Sequence, residues 1–458
     1  MQYFFETYGC QMNTAESAAL ALVLKERGWE AADTAEVADL VVINTCSVRA
    51  TAEQRVFGRL ALYAAEKKKR PAGFTLVVAG CMASRLGETL KEKEPAVDYV
   101  MGTDARSTFP MILEAVEKSV AKGVASGAFG GGIVACGEKP AFSFSAFHAE
   151  PGSIRSFIPI MHGCNNFCAY CIVPYTRGRE ISRDPASILA EIRLLAERGV
   201  REITLLGQNV NSYLWEDESK RQKIDFPALL EMVADEMEKT DGRIRWARFL
   251  SSHPKDLSSK AIQVMAERRV YCRHLHLCVQ HGSNVTLAAM NRAYTRERYL
   301  DLVAELREAM PGISLSTDLL IGFPGETEED TEETLALMEQ VKFLYSYMYH
   351  YNPREGTAAY ALPDRVSDTI KQKRLAQVIA LQKQHTVELL QARIGAEATV
   401  LIEGVSRKSE DELICRTERD EMVVAPGDSS LIGEFAEAKL SLLRGNTFRS
   451  KETRILIR

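Results

Sequence analysis

Six of the ten cysteines in this chain fall into two triplets, and their chemistry frames everything else. Cys164, Cys168 and Cys171 stand at C-x3-C-x2-C spacing within HGCNNFCAYCIVPYTRGRE. Thiolates are soft ligands suited to zinc, copper(I) or iron-sulfur clusters. Structural zinc is closed by four ligands, commonly in paired C-x2-C knuckles, whereas this local group stops at three. A cubane iron-sulfur cluster normally takes four cysteines, so three would leave one iron open to an exogenous ligand. Cys10, Cys46 and Cys81 are distant in sequence, yet each falls just past an apolar strand-like run: YFFETYG, ADLVVINTC and FTLVVAGC. A disulfide framework is the poorer reading, because a chain of 458 residues can bury a core without staples and a reducing compartment keeps thiols free.

The elements that must position these thiols can be read from periodicity. Residues 1–120 alternate apolar runs with helical patterns as βαβαβ, which predicts a doubly wound parallel sheet. In such sheets the carboxyl ends of the strands line the ligand crevice, where Cys10, Cys46 and Cys81 would converge. Residues 121–150 are Gly-rich and aperiodic, a linker or an ordered crossing. Residues 151–383 carry six strand candidates, in SFIPIMHG, REITLLGQNV, RIRWARFLSS, RHLHLCVQHG, ISLSTDLLIGFPG and FLYSYMYHYNP, with helices between them. Six βα repeats predict an incomplete (βα)6 TIM-like barrel with its active site at the strand ends, and the C-x3-C-x2-C triplet sits at the end of the first strand. After a helix over roughly 368–394, short strands and turns across residues 384–450 predict a small β-barrel or OB-like module.

Composition narrows the function classes. A chain this long implies two or three domains. Apolar residues at 46% and charged ones at 26% are ordinary for a soluble globular protein, and no apolar run approaches the roughly eighteen residues of a membrane span. The start, MQYFFETYGCQMN, lacks the basic and long apolar regions of a signal peptide, so a cytoplasmic location and no membrane are expected. A net charge of −5 supplies no overall pull toward nucleic acid, so an RNA partner must be held by local patches. One candidate patch is the tail Lys439, Arg444, Arg449, Lys451, Arg454 and Arg458, with only Glu452 opposing; a solvated terminus is the plain alternative.

The C-x3-C-x2-C spacing with Tyr170 before its last cysteine resembles the signature of radical S-adenosylmethionine enzymes. The combination of YGCQMN, NTCSVR and AGCMA with the triplet, GQNVNSY, SSHP and a C-terminal β-module is similar throughout the chain to the methylthiotransferases. NNFC, IVPYTRGRE and GQNVNSY look most like the tRNA-2-methylthio-N6-dimethylallyladenosine synthases, the MiaB type. That resemblance implies two [4Fe-4S] clusters, one on Cys10, Cys46 and Cys81 and one on Cys164, Cys168 and Cys171. It implies S-adenosylmethionine as both methyl donor and radical source, and a C-terminal TRAM domain that binds RNA. The implied partners are the tRNA anticodon stem-loop, an electron donor such as flavodoxin or ferredoxin, and a sulfur source, with the chain a monomer. Recognition would read splayed loop bases, since single-stranded loops expose edges that an RNA helix hides.

By the same resemblance Tyr170 is a candidate contact to S-adenosylmethionine, as are Gln208, Asn209, Ser251, Ser252 and Gln280 at the ends of the second, third and fourth barrel strands, with loop capping as the alternative for each of these five. Arg177 and Arg179 are placed to meet the cofactor carboxylate or a tRNA phosphate, or to form an ordinary surface ion pair. In YCRHLHLCVQHG, Cys272, His274, His276 and Cys278 alternate on one side of a strand. Four donors along one strand are too spread out to enclose one tetrahedral ion, so inward packing is expected. Cys278 and His281 depart from the family's HLPVQSGS, and Ala169 stands where a threonine is common. Cys136 and Cys415 read as bystanders.

The resemblance implies methylthiolation of N6-isopentenyladenosine at position 37 of tRNA, next to the anticodon; within the family the alternative substrates are N6-threonylcarbamoyladenosine in tRNA and an aspartate of ribosomal protein S12. A cobalamin-dependent radical enzyme would share a doubly wound N-terminal domain, but the first 147 residues contain no histidine to ligate cobalt. An electron-transfer or RNA-binding scaffold is disfavoured by two open clusters, because simple carriers have every iron ligated by protein.

Overall fold

The computed structural model describes residues 1–47, 50–103, 108–125, 132–134, 152–217, 219, 221–363 and 365–456. The chain falls into two compact units: Met1–Glu150, Met161–Asn165 and Cys171–Arg183 form the first, and Pro151–Ile160, Asn166–Tyr170 and Asp184–Arg458 the second.

The first unit is built on six parallel strands: β1 (Gln2–Thr7), β2 (Glu30–Ala31), β3 (Leu40–Thr45), β4 (Thr75–Gly80), β5 (Tyr99–Met101) and β6 (Gly132–Val134), in the spatial order β2-β1-β3-β4-β5-β6. Strand β3, LVVINT, is buried along its whole length because both faces are covered. Its Leu40 and Val42 pack with residues of α1 (Gln11–Glu26) and α5 (Phe109–Lys122). The alternate Val41 and Ile43 pack with residues of α2 (Ala50–Lys69), α3 (Cys81–Leu86) and α4 (Glu88–Lys93). Helices on both faces make this the doubly wound sheet expected from the apolar runs. The three-residue β5 and the edge strand β6, the latter inside the Gly-rich stretch, are too short to carry a periodic signal.

The second unit opens with β7 (Arg155–Pro159). The chain then lends the first unit a short hairpin of β8 (Met161–His162) and β9 (Ile181–Ser182), with α6 (Val173–Arg177) between them. Back in the second unit come α7 (Pro185–Glu197), β10 (Glu202–Leu206), the hairpin β11 (Leu214–Asp217) and β12 (Gln222–Asp225), α8 (Phe226–Glu238), β13 (Trp246–Phe249), α9 (Ser259–Glu267), β14 (His274–His276), α10 (Asn284–Ala289), α11 (Arg296–Ala309), β15 (Ser314–Ile321), α12 (Glu328–Val341) and β16 (Tyr345–His350). Strands β7, β10 and β13 form one parallel ladder and β14, β15 and β16 another. Parallel bridges Ala247–Tyr271 and Ser252–Leu277 join the two. All six expected barrel strands are present, and among the described residues no ladder runs from β16 back to β7, so the barrel is incomplete.

Helix α13 (Asp368–Gln391) is one continuous helix that runs past the 383/384 boundary. The C-terminal module follows as β17 (Glu397–Ser406), β18 (Ser409–Thr417), β19 (Met422–Pro426), β20 (Phe435–Lys439), β21 (Leu442–Arg444), β22 (Thr447–Arg449) and β23 (Thr453–Ile455). It is a seven-stranded, mostly antiparallel sheet in the order β21-β22-β19-β18-β17-β20-β23, with a bulge in β17. The first residues of the barrel strands seat this module: Arg155 pairs with Glu403, Ser314 Oγ donates to the Arg419 carbonyl, and the Tyr345 hydroxyl donates to Asp420. Trp246 stacks edge-on against Phe435 at 5.0 Å, and Arg248 donates to the Thr417 and Glu418 carbonyls. The β-module therefore closes the amino ends of the barrel strands and leaves their carboxyl ends to the candidate site.

Of the basic tail, Arg449 is bound to Glu412 and Arg454 to Glu437, whereas Lys439, Arg444 and Lys451 are exposed; Arg458 lies outside the described residues. Two of the expected cations are thus paired with carboxylates, and of these Arg454 keeps its side chain 78% exposed.

Candidate active site

In the first unit the parallel order β1-β3-β4 sets three carboxyl ends side by side, and a cysteine follows each. Cys10 caps α1, Cys46 directly follows β3, and Cys81 opens α3. Gly9, at φ +138°, permits the approach, since a Cβ there would lie 2.8 Å from the Cys46 Cβ. None of the three is tied up in a disulfide; Cys46 and Cys81 are buried, and Cys10 is exposed.

Two asparagines form the floor under these thiols. Asn13 Oδ1 accepts from the Cys10 backbone N–H and from its thiol, both at 3.4 Å, while its Nδ2 donates to Asn44 Oδ1 at 3.0 Å and to the Thr45 carbonyl at 3.1 Å. Asn44 in turn donates to the Asn13 carbonyl and to Ser17 Oγ, both at 3.0 Å. Gly80, at φ +91°, passes over this pair, and a Cβ there would stand 2.4 Å from Asn44 Oδ1. A fully satisfied buried network of this kind fixes the strand ends against one another.

Helix α6, which begins two residues after Cys171, packs on α3, and its Arg177 forms a two-pronged pair with Glu16 at 2.5 and 3.2 Å. Arg177 is only 6% exposed, so the expectation of a surface ion pair or a phosphate contact gives way to a buried pair inside the first unit. Burial opposes its charge, but the Cys81 sulfur, Glu16 and Cys10 hold its pKa well above the ordinary arginine value. Burial pushes the Cys81 thiol up, and Arg177 pulls the other way. This cation therefore favours the thiolate form that metal ligation requires. Arg179 is exposed.

The triplet loop has anchors in each unit. In the first, Gly163 at φ +80° lies so close to the Arg179 carbonyl that a Cβ would come within 2.0 Å of it, the Cys164 N–H donates to the Gly178 carbonyl, and Asn165 and Glu180 bond reciprocally. In the second, Asn291 Nδ2 donates to the Asn166 and Phe167 carbonyls, the Ala169 N–H donates to the Met290 carbonyl, and the Ala359 N–H donates to the Ala169 carbonyl. Arg292 donates to Cys168 Sγ at 3.4 Å and to the Cys278 carbonyl at 2.7 Å. Tyr170 packs against an apolar group that includes Met290, Phe323, Tyr351 and Ala359. The clamp of Met290, Asn291 and Arg292 lies more than a hundred positions from the loop, and no local signal in the sequence marks it.

At the carboxyl ends of the barrel strands Asn209 Nδ2 donates to Asp256 at 2.7 Å. Gln208 Oε1, Asn209 Oδ1, Ser252 Oγ and His253 Nε2 are buried with no partner among the described residues. Buried polar atoms are rarely left so. Ser251 and Gln280 adopt φ of +65° and +68°, and the Gln280 N–H is taken by the Asp318 carbonyl. His253, in the SSHP run, is not among the expected contacts; burial and the nearby Arg292 lower its pKa to about 2, so its ring is neutral, and because Nδ1 accepts the Lys255 N–H at 3.2 Å, Nε2 is left as a donor. Four side chains at these strand ends thus have bonding capacity left for a polar ligand, as the polar groups of S-adenosylmethionine would require.

The strand around β14 departs from simple packing. His274 is enclosed by Ser314, Ser316 and Tyr345, and burial lowers its pKa to about 3. Cys272 is buried beside Arg248. His276 and Cys278 also face inward, and there they meet Asp318 of the neighbouring strand, a donor that lies outside the run read from sequence. His281 is fully buried against Thr334 and Glu326. Cys415 belongs to the core of the C-terminal module, and Cys136 lies outside the described residues.

Three family models match in series: residues 2–102 match the uncharacterized protein family UPF0004, residues 158–338 the radical SAM superfamily, and residues 391–451 the TRAM domain. Fold and site together define a radical SAM enzyme with a TRAM module, a class that implies a [4Fe-4S] cluster and S-adenosylmethionine. The tRNA-2-methylthio-N(6)-dimethylallyladenosine synthase of Treponema pallidum (strain Nichols) is 50% identical over 452 residues, covering 98% of each chain. That of Treponema denticola is 49% identical over 454 residues, covering 98% of this chain and 99% of its own. The chain belongs to this synthase family of methylthiotransferases. Among solved structures, the radical S-adenosylmethionine methyltransferase TsrM from Kitasatospora setae aligns with a TM-score of 0.55 and 16% identity over 78% of this chain and 74% of its own. The cobalamin-dependent enzyme OxsB aligns with a TM-score of 0.51 and 11% identity over 83% of this chain and 56% of its own. At these identities the likeness shows the fold alone. Among the described residues no helix is long and apolar enough to cross a membrane.

Proposed function

We propose that this enzyme adds a methylthio group to N6-isopentenyladenosine at position 37 of tRNA, giving 2-methylthio-N6-isopentenyladenosine. The observation that carries the proposal is the set of three cysteines, none in a disulfide, at adjacent parallel strand ends, in a chain whose C-x3-C-x2-C loop is separately held. In this reading Cys164, Cys168 and Cys171 hold one [4Fe-4S] cluster and Cys10, Cys46 and Cys81 a second. When bound, these groups supply one-electron cleavage of S-adenosylmethionine and a sulfur that can accept a methyl group, chemistry that side chains alone do not provide. The protein's part is placement. Arg177 and Glu16 fix α6 against the Cys10–Cys81 edge, and Arg292 and Asn291 fix the loop around Cys168. Tyr170, Gln208, Asn209, Ser251, Ser252 and Gln280 contact S-adenosylmethionine, joined by His253.

Replacing an aromatic C–H by C–S lacks a usable leaving group, so hydrogen must be removed, and holding the base at a fixed site removes the entropy cost of the encounter. The TRAM module engages the anticodon stem-loop through its exposed basic residues, with flavodoxin or ferredoxin as electron donor, a separate sulfur source, and the enzyme a cytoplasmic monomer. Mass spectrometry of tRNA nucleosides from a strain lacking the gene is expected to show 2-methylthio-N6-isopentenyladenosine lost and N6-isopentenyladenosine accumulated. Persistence of the methylthio nucleoside at normal levels rules the assignment out, and loss of methylthio-threonylcarbamoyladenosine or of the modified S12 aspartate would shift it to those substrates.

A further inference from the structure

Inside the barrel an imidazole, a thiol and a carboxylate meet, and neither cysteine triplet uses them. Asp318 Oδ2 lies 3.4 Å from Cys278 Sγ and 3.6 Å from His276 Nε2, and the three donor atoms lie within 4.8 Å of one another. Ligands bound to zinc at about 2.0–2.3 Å in tetrahedral geometry stand about 3.3–3.8 Å apart. Two edges of the donor triangle already have that span.

The surroundings favour a cation over the other chemistry these residue types can do. In a nucleophilic thiol–imidazole–carboxylate relay the thiol and the carboxylate occupy opposite ring nitrogens. Here His276 Nδ1 is taken by Ser316 Oγ at 2.9 Å, and the thiol and the Nε2 edge both approach the same carboxylate oxygen, so the donors converge on a point. A hydrogen bond to the far ring nitrogen is also the usual partner of a metal-bound histidine, because it fixes the ring's orientation. The Asp318 side chain is 29% exposed, which leaves the donor set approachable.

We propose that His276, Cys278 and Asp318 form a mononuclear site for a divalent transition-metal ion of the zinc type. Three protein donors of nitrogen, sulfur and oxygen leave the fourth position for a small ligand, the coordination of a reactive rather than a structural zinc. Arg292, which bonds both the Cys278 carbonyl and Cys168 Sγ, ties this site to the radical SAM loop.

The test uses the full-length, cluster-loaded protein equilibrated anaerobically with zinc sulfate and desalted, with zinc, iron and sulfide then measured on each sample. About one zinc per chain is expected, with a zinc K-edge spectrum showing one sulfur near about 2.3 Å and nitrogen or oxygen near about 2.0 Å. Cys278→Ala is expected to lower zinc occupancy at least about tenfold with iron unchanged. Asp318→Asn, which preserves side-chain size, is expected to do the same. Wild-type protein that retains no zinc, zinc retained in both variants, or zinc gained only as iron is lost would each overturn the site.

Discussion

Replacing Cys164, Cys168 and Cys171 together by alanine is expected to reduce 5'-deoxyadenosine release from S-adenosylmethionine to background and to end methylthiolation. The fall should be at least about a thousandfold, about 4 kcal/mol of barrier. The effect is chemical rather than structural, because only one of the loop's anchors, Arg292 on Cys168 Sγ, uses a thiol, and the others do not: Gly163 against Arg179, Asn165 with Glu180, Asn291 on the Phe167 carbonyl, and Ala169 between Met290 and Ala359. Thermal unfolding of the variant should stay close to wild type. High-performance chromatography of the quenched, dithionite-reduced reaction reads the outcome, and residual 5'-deoxyadenosine at more than about a hundredth of the wild-type rate would contradict the ligand assignment.

The companion variant, Cys10, Cys46 and Cys81 to alanine, is expected to separate two activities that wild type couples. Cleavage of S-adenosylmethionine should persist within about tenfold of wild type, while the methylthio nucleoside falls below detection. These thiols stand on the edge of the N-terminal sheet, over the Asn13–Asn44 network, and make none of the contacts that hold Cys168. Reduced enzyme and tRNA bearing N6-isopentenyladenosine, assayed for both products in one reaction, give the comparison. Methylthio product at the wild-type rate would remove this triplet from the reaction.

Much of this arrangement is legible in the sequence, for identifiable reasons. LVVINT and TLVVAG are buried on both faces, so they read as unbroken apolar runs, and a cysteine directly after each marks a strand end without any tertiary information. Among the barrel strands β10, EITLL, is likewise buried along its whole length. What escapes sequence reasoning is pairing across distance. Arg177 and Glu16 are 161 positions apart, and only the packing of α3 on α6 turns a surface-looking arginine into a buried one. Asn291 and Arg292 look like an ordinary helix end until the fold lays them on the cysteine loop. Period-two alternation correctly puts His276 and Cys278 on one side of β14, but it cannot reveal that the register His276–Ser316 brings Asp318 of β15 beside them.

The measurement that tests the central claim most directly is an iron and sulfide count on anaerobically reconstituted wild type and on the two triple-cysteine variants. Two independent triplets predict about eight irons per wild-type chain and about four in each variant, since each cubane contributes about four. Full iron content in the Cys10/Cys46/Cys81 variant would contradict the account, leaving those three thiols without a cluster to hold.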